Sequence, residues 1–124
     1  MRALYNVSIV WEVEYTDEFE EWWDSLFETE QERITAAIEV LGEVGPTLGR
    51  PLVDTVQHSR HANMKELRPP ASTIRILFAF DPRRTAILLL GGDKTGQWNF
   101  WYATHVPIAD ALYDAHLTQV RKES

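Results

Sequence analysis

The chain has 124 residues, with 44% apolar and 25% charged side chains. That is the size of one domain and the composition of a globular protein, not of a disordered or fibrous one. There is no cysteine, which excludes a disulfide scaffold, thiolate metal sites and cysteine nucleophiles. The net charge of −7, from 12 basic and 19 acidic side chains, argues against non-specific coating of nucleic acid.

Residues 7–15 alternate Val7, Ile9, Trp11, Val13 and Tyr15 with Ser8, Val10, Glu12 and Glu14, the period of a half-buried strand. The phase then changes to a helical one, with Phe19, Trp22, Trp23, Leu26 and Phe27 on one face. Asp17 with Glu20, and Thr29 with Glu32, are spaced as capping boxes. Ile34, Ala37, Ile38 and Leu41 continue the apolar stripe until Gly42 and Gly45-Pro46 stop it. Residues 17–44 therefore read as two helices or one broken helix. Residues 46–61 carry Pro46, Gly49 and Pro51 without a period and read as loop with a short helical turn.

Three further strands are expected, at 63–68, 73–80 and 85–91. Pro69-Pro70 ends the first, and Asp81-Pro82-Arg83-Arg84 makes the turn between the other two. The segment up to His105 reads as a loop rich in aromatics, with Trp98, Phe100, Trp101 and Tyr102 serving as core plugs or as a stacking platform for bases. Pro107 suits the first turn of a closing helix. The order β-α-α-β-β-β-α predicts an α+β fold: an N-terminal strand, a helical hairpin, a three-stranded antiparallel meander and a C-terminal helix, with the helices on one face of the sheet. One domain is expected over 1–124. Residues 1–6 hold one charge and no long apolar run, and no stretch approaches the ~20 apolar residues of a membrane span, so a cytoplasmic location is expected.

Charge is divided unevenly. Residues 12–43 hold twelve acids against Arg33 alone, whereas residues 50–94 hold eight bases against Asp54, Glu66, Asp81 and Asp93. The acidic stretch is either the solvated side of helices or a wall confining an anionic ligand to the other face. Parity sends Arg75 away from Ile74, Ile76, Phe78 and Phe80; with Leu67 in the core, Glu66 and Arg68 join Arg75 on the open face. Lys94 lies just past the next strand. Arginine forks and a lysine charge on one surface suit phosphate oxygens. The alternative is an ordinary surface on which Arg68 or Arg75 pairs with Glu66 across strands. His58 and His61 have an i, i+3 spacing but no suggestive third ligand. Gly91-Gly92-Asp93-Lys94-Thr95-Gly96 fails as a phosphate loop, because Asp93 precedes the lysine and the upstream glycine is missing.

Lys65-Glu66-Leu67-Arg68, Arg75-Ile76-Leu77-Phe78, Leu88-Leu89-Leu90-Gly91 near Lys94-Thr95, and Pro107 with Ala109 opening a helix together resemble the phage-derived HigB-like branch of the RelE/ParE toxins. The resemblance covers residues 9–120. It implies the toxin of a type II toxin–antitoxin pair that cleaves translated mRNA on the ribosome, without metal or cofactor, halting translation and growth. Arg68 and Arg75 match the family's strand arginines, and Lys94 a lysine after its last strand. Where the family often has a Phe and paired lysines, Gly92 and Asp93 precede a single Lys94 here, and the insert with Trp98, Trp101 and Tyr102 is longer.

Under this resemblance Arg68 and Arg75 carry the phosphorane charge, Lys65 or Lys94 orients the 2′-oxygen or donates a proton, and Asp93 and His58 are unranked proton acceptors. Arg83, Arg84 and Trp98 complete the expected RNA contacts. The expected partners are a HigA-like antitoxin with a helix-turn-helix domain, the ribosome and mRNA. Membranes are excluded, and operator DNA is met only through the antitoxin. Two competing readings share the fold: a ParE-like toxin that inhibits DNA gyrase from the helical hairpin, and an inactive co-repressor that only binds its antitoxin.

Overall fold

The computed structural model describes residues 10–124. Val7 and Ile9 of the expected first strand lie outside them, and the strand's described part is β1 (Val13–Tyr15). Two helices follow, α1 (Asp17–Asp24) and α2 (Glu28–Val44), so the segment is a broken pair. Their caps fall just before the expected boxes. The Thr16 hydroxyl accepts from Phe19 N at 3.0 Å, and Glu30 accepts from Phe27 N at 3.1 Å, each satisfying an end donor that the helix cannot.

After a 3-10 turn at Gly45–Thr47 the chain forms β2 (Val53–Thr55), β3 (Lys65–Leu67), β4 (Ile74–Phe80) and β5 (Ala86–Asp93). The sheet order is β1-β5-β4-β3-β2, parallel between β1 and β5 and antiparallel elsewhere. β2 was not expected from sequence: three residues inside a proline- and glycine-bearing stretch are too few to show a period. The last helix, α3 (Trp98–Glu123), begins nine residues before Pro107 and carries that proline inside it. The aromatic segment expected as loop is thus helix; burial of Trp101 on the sheet outweighs the one hydrogen bond a proline removes.

The helices cover both faces, correcting the one-sided sandwich. On the first, Phe19, Ile34, Ile38 and Leu41 of the α1–α2 hairpin pack on Leu67, Ile74, Ile76, Phe78 and Leu88. On the second, Trp101, Val106, Ala109 and Tyr113 of α3 pack on Leu77, Ala79, Ile87 and Leu89. The reason is visible in β4 and β5, whose second face is as apolar as the first and must also leave water. An irregularity at Leu77/Phe78 lets Leu88 and Leu90 pair with them across β5, after which Gly91 faces the hairpin and Gly92 faces α3. A Cβ on Gly92 would stand 2.6 Å from Trp101 Nε1, and one on Gly91 would overlap the Trp22 ring. Two indoles, one from each helical layer, thus rest directly on the backbone of one strand. Among the described residues no helix is long and apolar enough to cross a membrane.

Candidate functional site

The site starts from strand register. Leu67 of β3 lies opposite Ile76 of β4, and both enter the hairpin core. Their neighbours Glu66 and Leu77, also paired, therefore turn toward α3. By the same alternation Arg68 and Arg75 point that way, and Arg75 sits opposite Gly92. The expected sharing of one face by the two arginines is what the structure has. That face is not bare, however: the first turns of α3 lie over it, and the Arg75 side chain is only 12% exposed against 30% for Arg68.

Glu66, 3% exposed, is the centre. Its Oε1 accepts the Tyr102 hydroxyl at 2.7 Å and Arg68 Nε at 3.0 Å, with Arg75 Nε 3.1 Å away. The pairing that sequence offered as the structural alternative is therefore present and coexists with the cationic cluster. Arg75 Nη1 donates to the Ile74 carbonyl at 2.8 Å, while its buried Nε has no aligned acceptor. That nitrogen is held instead by the 3.1 Å ion pair with Glu66. Lys94, 4% exposed, donates to the Tyr102 hydroxyl at 3.4 Å and stands 4.0 Å over the Trp98 ring.

A polar cleft of about 730 Å³ opens beside this cluster. Asp54, Glu66 and Arg68 line its sheet wall, Gln57 and His58 come from the β2–β3 connection, Lys94 from just past β5, and Asn99 and Tyr102 from the start of α3. His58 adopts a left-handed backbone, φ 67°, a conformation uncommon outside glycine and found at sites where surrounding structure imposes it.

The charges shape one another. Burial, then the nearby Glu66, pushes the Tyr102 hydroxyl up to about 12, so at neutral pH it is a donor. Burial and the Arg75 charge lower the Lys94 ammonium from its usual value. Burial opposes the Arg68 charge, but Glu66 and Asp54 more than offset it and raise its pKa. Asp54 is held below the usual carboxylate range, first by Arg50.

Of the residues singled out by sequence, Arg68, Arg75 and Lys94 come together around Glu66 and Tyr102; Arg68, Lys94 and His58 line the cleft, whereas Arg75 does not. Lys65 does not join them. It pairs with Phe78 on the hairpin side, and its Nζ donates to the Pro46 carbonyl at 3.1 Å. Asp93 accepts from the Thr73 hydroxyl at 2.6 Å and from Thr95 N at 2.9 Å; those bonds, Thr73 first, lower its pKa, and it is not part of the cleft wall. Arg83 and Arg84 lie at the far end of β4. Arg83 is tied to Asp81 and Glu14 at 2.8 Å, and Arg84 stacks 4.8 Å over Trp11. The histidine pair separates, since His61 Nε2 lies 2.7 Å from Asp114. The aromatics divide too: Trp101 is a plug at 1% exposure, whereas Trp98 is 60% exposed and stacks beneath Lys94. Sequence reasoning offered Tyr102 only as a core plug or base-stacking ring, not as a partner of Glu66, and treated Glu66 only as a counter-ion. Parity did place Glu66 beside Arg68, whereas nothing local marked Tyr102 once its segment was read as loop.

The family model described as "Phage derived protein Gp49-like" matches residues 21–114. The candidate toxin HigB3 of Mycobacterium tuberculosis (strain ATCC 25618 / H37Rv) is 57% identical over 91 residues, covering 73% of this chain and 80% of that protein. The candidate toxin HigB2 of the same organism is 48% identical over 120 residues, covering 94% of this chain but only 59% of that longer protein. Among solved structures, RelE in the archaeal RelE–RelB complex of Pyrococcus horikoshii OT3 aligns with TM-score 0.57 at 13% identity, over 72% of this chain and 99% of that one. The isolated E. coli RelE toxin aligns with TM-score 0.57 at 11% identity, over 75% and 94% of the respective chains. At such identities these two speak for the fold alone.

Proposed function

Since the chain belongs to the phage-derived Gp49-like family and is a RelE-family toxin of the HigB type, we propose that it arrests growth by cutting messenger RNA as an endoribonuclease. The observation carrying this reading is the buried Glu66 carboxylate, which accepts from Arg68 and Tyr102 and ion-pairs with Arg75, in the wall of a polar cleft that His58 also lines. Cleavage of this kind needs a base for the 2′-hydroxyl, an acid for the leaving 5′-oxygen and cations for the charge that develops on phosphorus.

Glu66 is the base: it takes the 2′-hydroxyl proton as the oxygen attacks the adjacent phosphorus. Arg68, Arg75 and Lys94 stabilise the phosphorane. His58 gives a proton to the departing 5′-oxygen. The products are a 2′,3′-cyclic phosphate and a 5′-hydroxyl. Trp98 offers its open ring to a base.

The net charge of −7 supports action on ribosome-presented mRNA in preference to free RNA, because affinity for free RNA rests on clustered cations. The partner is an antitoxin, as RelE has RelB in the Pyrococcus horikoshii and Methanococcus jannaschii complexes; we assign it a helix-turn-helix domain of HigA type. The test is induction of the toxin with mapping of RNA 5′ ends. Wild type should create new ends within translated messages, and Arg75→Ala should reduce them by ~10²–10³. Growth arrest with DNA damage and no new ends would replace the nuclease by a gyrase inhibitor.

A further inference from the structure

The segment that presents His58 is held by α3. Asp110 of α3, 2% exposed, accepts from the Ser59 hydroxyl at 2.5 Å and from Arg60 N at 3.0 Å. The same Ser59 oxygen accepts from His61 N at 3.0 Å. One helical turn on, Asp114 holds His61 and the Arg60 side chain. The residues that follow the left-handed His58 are thus pinned by backbone and side-chain bonds to one helix.

A buried carboxylate is costly unless its bonds compensate, and among the described residues Asp110 makes no ion pair. Its two oxygens serve the turn, and an apolar residue would fit the apolar layer around Val106, Ala109 and Tyr113 at lower cost. We propose that Asp110 is a positioning residue for His58, fixing the strained turn so that the imidazole faces the scissile phosphate. This rests on the nuclease reading of the cleft. Asp110 touches no substrate and acts only through the turn.

The test combines imidazole NMR with cleavage rates for Asp110→Asn and for Ser59→Ala, each alone and in a His58→Ala background. In Asp110→Asn the new amide NH2 faces one of the two donors, and Ser59→Ala removes the hydroxyl's bonds to Asp110 and from His61 N without changing a residue of α3, so a misfolded first variant leaves the second to decide. The expected result is that the His58 ring signals move, along with those of neighbouring His61, while those of His105 and His116 stay. The cleavage rate falls roughly 10²-fold, as for a misplaced catalytic group, and neither substitution lowers it further once His58 is gone. Unchanged His58 signals, or losses that multiply in the double variants, would overturn the proposal. Ring signals that move as expected in a protein whose wild type cuts no RNA would uphold the hold on the turn and sink the nuclease reading instead.

Discussion

The Tyr102 hydroxyl donates to Glu66 Oε1 at 2.7 Å, and this bond fastens the first turns of α3 onto the cationic face of β3 and β4. Because Tyr102 is pushed up to about 12, it keeps its proton at any physiological pH. Tyr102→Phe removes a donor from a buried carboxylate and should destabilise the fold by about 1–3 kcal/mol, read from urea unfolding. Glu66→Gln removes the base and should lower cleavage by ~10²–10⁴. A Gln variant that cuts at the wild-type rate would displace Glu66 from the mechanism.

Lys94 supplies a second titration. Its folded-state pKa lies below the ordinary 10.5, first through burial and then through the Arg75 charge. As pH rises the cation is lost earlier than in a free lysine, so cleavage should decline on the alkaline side. Lys94→Arg keeps the charge and should remove this lysine's contribution to the decline, as rate profiles over the alkaline range would record.

The two-sided sheet explains what the sequence could and could not disclose. Ile74, Ile76 and Phe78 set the parity that sends Arg75 and Arg68 to one face, and this was readable because strand alternation is local. The covering of that face was not. It depends on Trp101 reaching Gly92 across the layer, a contact between residues that carry no shared period, and on a helix that runs through Pro107. Tyr102 enters the site only by that packing. Its part in the site is a property of the tertiary fold and has no motif.

That packing can be probed directly. Gly92→Ala places a methyl group against the Trp101 indole, 2.6 Å from Nε1 by ideal geometry. Overpacking a close contact costs typically about 1–3 kcal/mol, so the melting temperature should drop. Because Trp101 precedes Tyr102, cleavage should fall as well. An equally stable Ala variant would show that the ring has room to shift.

A separate polar hub governs acid stability. The Asp81 side chain is fully buried and receives His116 Nε2 at 2.8 Å, Arg83 at 2.8 Å and Thr85 N at 3.1 Å, tying the β4–β5 turn to α3. Burial alone would raise its pKa, but His116 and Arg83 outweigh it and hold Asp81 below the ordinary 3.8. With the folded pKa depressed, the unfolded chain takes up the proton first. The stabilisation is complete above the unfolded value and is lost as pH falls through the folded one. Unfolding free energy should therefore fall below about pH 4. Asp81→Asn should cost about 3–5 kcal/mol at neutral pH and flatten that acid dependence in denaturant titrations.

The two lysines of the cationic half separate the faces of the sheet. Lys65 and Lys94 are equivalent by sequence, each next to a strand bearing the arginines. Yet Lys65 reaches the Pro46 carbonyl on the hairpin side, while Lys94 lies beside Tyr102 in the cleft. Lys65→Ala should leave new RNA 5′ ends at their wild-type level, losing only the stability of one part-buried hydrogen bond, about 0.5–1.5 kcal/mol. Lys94→Ala removes a cation that the proposal sets on the developing phosphorane charge and should lower cleavage by ~10²–10³. Were the effects reversed, with Lys65 essential and Lys94 dispensable, the reacting phosphate would have to lie on the hairpin face, and neither Glu66 nor His58 could act on it.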